Sequence, residues 1–191
     1  MGRQVAITFR RVTRDDFPLL GGWLAQPYVA RWWNHDPTPA GVERDFGPGL
    51  RGEEAGEDLI ALLGDRPFGL VQRSRLDDYP DYRAELAEHV EVPPGAVTID
   101  YLIGEPELTG RGLGAKMIMV LVERTWTDHP DAPAIIVPVV AGNRASWRAL
   151  ERAGLTRIGS GDLEPDNPAD PPLHHLYRID RPPISFGRRL P

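Results

Sequence analysis

Apolar and polar positions along the chain switch between a period of two and a period near 3.6, and the switches divide it into short strands and amphipathic helices. Alternation over residues 5–12 predicts a first strand. Thr13-Arg14-Asp15-Asp16 then reads as a helix opening, a hydroxyl cap with an acidic residue three places on, and Phe17, Leu20 and Leu24 continue at helical spacing until Pro27 ends the run. Residues 41–50 predict a weak second helix, and 58–63 and 67–74 a pair of antiparallel strands joined at Gly64-Asp65, turn residues between two apolar runs. Residues 97–103 form a further strand, followed by a helix whose apolar face is Met117, Ile118, Leu121, Val122 and Trp126 and which stops at Pro130. A buried strand over 134–139, a helix over 143–153 capped by Asn143 and stopped by Gly154, and a strand over 155–159 come next. A Pro/Asp-rich loop over 162–172 separates these from a last strand at 173–180. The order predicts an α/β chain: one mixed, mostly antiparallel sheet with helices on both faces, spanning residues 1–180, and a mobile tail over 181–191.

Composition narrows the function. With 191 residues and 41% hydrophobic content the chain suffices for one domain with its own core. No run approaches the roughly 20 apolar residues of a membrane span, and the first residues lack a signal-peptide apolar core, so a cytoplasmic protein without a membrane partner is expected. The absence of Cys excludes disulfides, thiolate metal sites and a Cys acyl-enzyme together. His174 and His175 are adjacent while His35, His89 and His129 are scattered, a distribution that predicts no metal. A formal charge of −6 disfavours nucleic acid and fits a cationic small molecule, acting on a monomer or homodimer.

Candidate chemistry gathers in the second half. The stretch TGRGLGAK, residues 109–116, lies between a strand and a helix. Gly110, Gly112 and Gly114 allow a ligand close to the main chain, the helix that follows starts with unpaired amides, and Arg111 and Lys116 add positive charge. The spacing is neither a P-loop nor a dinucleotide fingerprint, so two readings stand, a flexible turn and a phosphate loop, and the strand–loop–helix context favours the second. Asp100 puts a charge into an apolar strand, which marks a site if both sheet faces are covered and a solvated residue if one is wet. Of the adjacent Trp32 and Trp33, at least one is expected as a core anchor of a small helix. Residues 75–95 mix carboxylates with Tyr79 and Tyr82, either a solvated face or a cover over a cationic acceptor.

Thr109-Gly110-Arg111-Gly112-Leu113-Gly114 resembles the Q/R-x-x-G-x-G/A pyrophosphate loop of the GNAT superfamily of acyl-CoA-dependent N-acyltransferases, with Thr109 in place of the first Gln or Arg. Asn143, opening a helix that ends in Ala153-Gly154, resembles the second half of that signature. The resemblance covers nearly the whole chain and implies acetyl-CoA as co-substrate. It places Arg111, Gly112, Leu113, Gly114, Ala115 and Lys116 on the pyrophosphate, Asn143 and Ser146 on the coenzyme arm, and a main-chain N–H near Leu102 or Ile103 on the thioester carbonyl. It also implies two central strands that splay after Asp100. Among the aminoglycoside 6′-N-acetyltransferases of that superfamily, paired tryptophans beside the acceptor cleft and an Asp just before the loop correspond to Trp32, Trp33 and Asp100, which makes Asp100 the expected base and substrate anchor.

Two departures bear on mechanism. The family commonly carries a Tyr as thiolate acid where this chain has Leu150, leaving Tyr79, Tyr82 or Tyr101 to serve, or none. Pro138 stands where many aminoglycoside-modifying relatives have an acid. Three functions follow: N-acetylation of an aminoglycoside-like polycation, acylation of a lysine or hydroxylysine side chain in siderophore assembly, and acyl-CoA binding without catalysis.

Overall fold

A computed structural model describes residues 6–183. Strands β1 (Ile7–Arg11), β2 (Glu57–Leu63), β3 (Arg66–Arg75), β4 (Val97–Ile103), β5 (Ala134–Val140), β6 (Thr156–Asp162) and β7 (Leu173–Asp180) form one sheet in the order β1-β2-β3-β4-β5-β7-β6. Every neighbouring pair is antiparallel except β4 and β5, which run parallel and share the single registered pair Val97↔Ile135. The two strands therefore part at the start of β4, three residues before Asp100 and not after it. Beyond that point each has lost its neighbour, and a wedge opens between them.

Helices α1 (Phe17–Leu24), α2 (Pro27–Trp33) and α3 (Pro39–Arg51) cover one face of the sheet, and α5 (Leu113–Asp128) and α6 (Arg144–Arg152) the other, with a short α4 (Pro80–Ala87) after β3. Alternation along β4 feeds both layers. Val97 and Ile99 join Met117, Ile118, Leu121 and Leu150 under α5 and α6, whereas Leu102 joins Leu20, Trp23, Val29 and Phe46 under α1 to α3. Leu76, Leu86, Ile136 and Leu176 form a smaller cluster beneath α4.

Several boundaries differ from the sequence reading. The first strand begins at Ile7, and Val5 lies outside the described residues. The predicted capping box is present, Asp16 accepting from the Thr13 amide at 2.8 Å, and it opens a short 3-10 turn that runs into α1. Pro27 does not end α1, which stops at Leu24; it opens α2, where a missing N–H costs nothing and the ring presets φ. Residues 80–87 within the acidic segment are helical for the same reason, with Pro80 at the first position. Arg181 does not behave as the start of a mobile tail. Its guanidinium donates to the carbonyls of Trp126 (3.0 Å), Ala132 (2.8 Å) and His129, and lies over the Trp126 ring. Most of the expected tail, residues 184–191, lies outside the described residues.

One buried polar network fixes α5 against the sheet. Arg73, 2% exposed, projects from β3 and donates to Glu57 (2.7 Å), to Thr125 (2.9 Å) and to Asp128 (2.6 Å) near the C-terminus of α5. A buried guanidinium is tolerated only when its donors are met. Here they are met by two elements at once, so the axis of α5, and with it the position of its first turn, is set from the far end.

Candidate active site

β4 leads into the glycine loop through Gly104 and a 3-10 turn at Pro106–Leu108. Glu105 is gripped by the Trp23 indole N–H at 3.0 Å and by Arg66 at 2.5 Å, which fastens the entry of the loop to α1 and β3. Gly110 and Gly112 have φ of +70° and +76°, the left-handed region that side chains avoid, and a Cβ on either would meet open space. Gly114 is different: it already lies in the first turn of α5, and a Cβ there would sit 3.8 Å from that of Ala149 on α6. Its smallness therefore serves helix packing and not an unusual backbone angle. The first backbone bond of α5 runs from Lys116 N to Gly112 O, so the amides of Leu113, Gly114 and Ala115 have no backbone acceptor among the described residues. Open space above positive-φ glycines and three bare amides make a cradle that fits a pyrophosphate.

From this cradle a cleft of about 630 Å³ runs along the wedge to α2. Gly110, Gly112, Gly114 and Ala115 line one end, Asn143 and Ser146 the α6 side, and Trp32 and Trp33 the other end, with Asp100 between. Arg111, Leu113 and Lys116 are not among the lining residues; Leu113 packs against the core, and the two cations are exposed beside the loop. Asn143 spends its side-chain oxygen on the Ser146 amide (3.2 Å) as the N-cap of α6. The Ser146 hydroxyl is 2.7 Å from the Tyr101 hydroxyl.

Backbone alternation decides between Leu102 and Ile103. The Gly104 amide bonds to Phe68 O at 2.9 Å, toward β3, so the Ile103 amide and carbonyl face the opposite way, into the wedge, while those of Leu102 turn back to β3. Ile103 thus fits the expected carbonyl contact, and Leu102 contributes only its side chain to the lining. Tyr28 closes this spot from α2, donating to Ile103 O at 3.0 Å.

A second lobe of about 310 Å³ shares Trp33, Asp100, Pro138, Asp166 and His174 with the first. Asp100 stands where the lobes meet. Its side chain is exposed to the cleft but lies between the cleft walls, away from bulk water; that partial desolvation raises its carboxyl to about 7, Asp166 pushes in the same direction, and His35 opposes both. Burial likewise raises Asp166, against His35 and His174. A carboxyl poised near neutrality in a cleft suits proton transfer.

Both tryptophans are half-buried and line the cleft: Trp33 also packs against the core under α1 to α3 and against His35, as expected of one of the pair, while Trp32 lies beneath the Arg31 guanidinium. Trp23 is more deeply buried, 3% exposed. Carboxylates of residues 75–95 do not line either lobe; that segment contributes Tyr79 and Tyr82, and the acids come from Asp100, Glu164 and Asp166. The Pro/Asp-rich loop is placed there by α2, since Asp170 forms a two-bond pair with Arg31 (2.8 and 2.5 Å) and Asn34 donates to Asp166 O. His35, held through Nδ1 by Asp45 at 2.8 Å, also lines the second lobe. Asp166, Glu164, His35 and His174 were not singled out from sequence, because each reaches the cleft through a tertiary contact and none sits in a local pattern of charge or spacing.

A sheet split at parallel central strands, with a helix N-terminus and a glycine loop at the split, defines an acyl-coenzyme transferase architecture. Residues 12–163 match the family model described as "Acetyltransferase (GNAT) domain", and the chain belongs to that family. It is 30% identical over 168 residues, 86% of this chain and 80% of the relative, to the aminoglycoside N(6′)-acetyltransferase type 1 of Klebsiella pneumoniae. A kanamycin resistance protein of Rhizobium radiobacter is 34% identical over 79 residues, 41% of this chain and 71% of that protein. Among solved structures, aminoglycoside acetyltransferase AAC(6′)-Ib in complex with coenzyme A superposes with a TM-score of 0.77 at 26% identity, covering 92% of this chain and 95% of the other. The same enzyme with coenzyme A and kanamycin gives 0.76. Among the described residues no helix is long and apolar enough to cross a membrane.

Proposed function

We propose that this protein transfers the acetyl group of acetyl-CoA to a primary amine of an aminoglycoside-like polycation, by direct attack within a ternary complex. The observation that carries the reading is the position of Asp100 at the junction of two unlike lobes. One is built of bare amides and glycines that suit a pyrophosphate, the other of carboxylates and aromatic rings that suit a polycationic sugar.

When bound, acetyl-CoA supplies an activated thioester. The Asp100 carboxylate attracts the acceptor's ammonium, orients its nitrogen and takes up the proton that must leave before attack. The Ile103 amide, aimed into the wedge, offers a hydrogen bond where negative charge develops on oxygen. Leu150 is fully buried and provides no acid. Of the three tyrosines left open by the sequence, Tyr79 and Tyr82 border the acceptor lobe and Tyr101 the coenzyme side. Burial raises the Tyr101 phenol and keeps it protonated at neutral pH. Among those three, the position of the Tyr101 hydroxyl on the coenzyme side, held by Ser146, supports it as the proton source for the departing thiolate, although its raised phenol makes it a weak acid. Asp166 and Glu164 supply further negative charge for the acceptor's remaining ammonium groups. One chain lines the whole wedge, which supports activity in a monomer as well as a homodimer, and a need for acetyl-CoA supports a cytoplasmic setting.

An acceptor screen tests the reading, with release of free thiol measured for aminoglycosides, lysine and hydroxylysine. Turnover with aminoglycosides alone is expected. Turnover confined to lysine or hydroxylysine would replace the acceptor, and coenzyme binding without thiol release for any amine would replace catalysis with sensing.

A further inference from the structure

Most described arginines of the N-terminal half and of the sheet are matched to carboxylates, among them Arg10 with Asp16, Arg31 with Asp170, Arg66 with Glu105, and Arg75 with Asp131, and Arg157 on β6 donates instead to the Ser160 hydroxyl. Five cations break this rule. Arg111, Lys116, Arg144, Arg148 and Arg152 form neither a salt bridge nor a side-chain hydrogen bond among the described residues, and all five are exposed. They lie together, on the glycine loop, the first turn of α5, and α6.

Apart from Arg152, which the dipole favours in the last turn of α6, their placement works against helix stability. Arg144, Arg148 and Arg152 recur every four residues, so like charges stack along one stripe of α6. Arg144 and Lys116 stand in the first turns of α6 and α5, where the helix dipole disfavours a cation, and neither turn contains an acidic residue. In a protein of net charge −6, carboxylates to neutralise them were abundant elsewhere in the sequence. Such a cluster is consistent with an anionic ligand that is absent from the folded chain itself.

Geometry locates it. Gly114 in the first turn of α5 faces Ala149 on α6, so Arg148, one residue before that contact, and Arg152, one turn after it, flank the cradle. Both line the cleft. The three bare amides already provide for a pyrophosphate, whose two diester-like phosphates carry about two charges. Two further guanidinium groups exceed that need and match a phosphate monoester, which carries about −1.5 to −2 at neutral pH. Building on the acetyl-CoA reading above, we propose that Arg148 and Arg152 form a phosphomonoester site at the mouth of the cleft that recognises the 3′-phosphate of the coenzyme.

Calorimetric titration of coenzyme A and of 3′-dephospho-coenzyme A into the wild-type protein and the Arg148→Gln/Arg152→Gln double variant tests this. Wild type is expected to prefer coenzyme A by about 10- to 100-fold, the effect of one charged hydrogen-bonded group, and the preference should shrink with added salt. The double variant should bind both compounds alike, at the level of the dephospho form, while its thermal midpoint stays unchanged or rises because the like-charge stripe is relieved. Arg157→Gln, a loss of charge away from the cleft, should keep the preference. Equal binding of the two compounds by wild type, or a preference that survives in the double variant, would overturn the 3′-phosphate site and leave the acetyl-CoA reading standing. Binding of neither compound by wild type would overturn both.

Discussion

The two ends of α5 are built on opposite rules. At its C-terminal end Arg73 reaches from β3 to Glu57, Thr125 and Asp128, Arg124 pairs with Asp128 at 3.0 Å, and Arg181, from the chain that follows β7, donates to Trp126 O in the last turn and to carbonyls just beyond it. At its N-terminal end three amides are bare, the glycines hold strained-for-others angles over open space, and Arg111 and Lys116 have no carboxylate. One end spends its polar groups on the fold and the other withholds them. The difference teaches that the site's rigidity is imported: the loop can remain unsatisfied because the helix behind it is fixed elsewhere. Substitutions should accordingly divide, with stability effects dominating at one end and function effects at the other.

The largest functional effect belongs to Asp100. Asp100→Asn should lower turnover by about 10² to 10⁴ with acetyl-CoA affinity nearly unchanged. The wild-type rate should rise with pH through about 7 as the carboxyl ionises, and that limb should vanish in the variant. Stability should move the other way. A carboxyl whose folded-state value is raised destabilises the folded protein where it is ionised, fully above about pH 7, and the cost is relieved as pH falls from there toward 4. Asn removes the charge, so the variant should melt higher than wild type at pH 8, with a gap that narrows at pH 5. A variant with full turnover at every pH would reduce Asp100 to a substrate anchor.

Arg73→Ala probes the opposite end. Arg124 still reaches Asp128 and Arg11 still lies beside Glu57, so losing the buried guanidinium and its charged hydrogen bonds should cost about 1.5–3 kcal/mol in urea unfolding. Activity per folded molecule at low temperature should remain close to wild type. A larger loss of activity than of folded protein would show that the two ends are not separable.

Gly112→Val should do the reverse on a smaller scale. A β-branched residue at φ +76° strains the backbone by about 1–2 kcal/mol and puts methyl groups into the cradle. Acetyl-CoA affinity measured by calorimetry should fall more than this stability loss implies, and unchanged affinity would remove the cradle from the site. Tyr101→Phe is the mildest. It deletes the hydroxyl that meets Ser146, and turnover at saturating substrates should fall by about tenfold, below the usual general-acid contribution because a thiolate leaves readily. No change in turnover would mean that the thiolate leaves unprotonated.

How far these features were legible in the sequence depended on whether their cause was local. β4, α5 and α6 were read closely because period, cap and glycine stop lie within the segment itself, as with Asn143 and Gly154. The mostly antiparallel sheet with helices on both faces, and the wedge before the glycine loop, followed from strand order and the family resemblance. Pro27 was misread because proline both ends helices and begins them, and only the Trp32-Trp33 packing of α2 decides which. The core contact of Trp33 was legible from the paired aromatics, but the deeper burial of Trp23 was not, since flanking Gly21 and Gly22 gave it no local sign. Asp166 reaches the cleft through contacts between distant elements, which no local pattern encodes; the four-residue spacing of Arg144, Arg148 and Arg152 is visible in the sequence, but their place beside the cleft is not.

The single rung Val97↔Ile135 has a consequence for how the chain assembles. Every strand on one side of the parting, β1 to β4, comes from residues before Gly104, and every strand on the other, β5 to β7, from residues after Asp131. The molecule is thus two antiparallel ribbons, each closed within its own stretch of chain, with α5 as the crossing between them. The backbone ladder between them is one rung, and side chains of both ribbons meet instead in the core under α5 and α6. A coenzyme lying in the wedge would touch both ribbons, bridging the gap that the ladder leaves open and stabilising the two halves together by mass action.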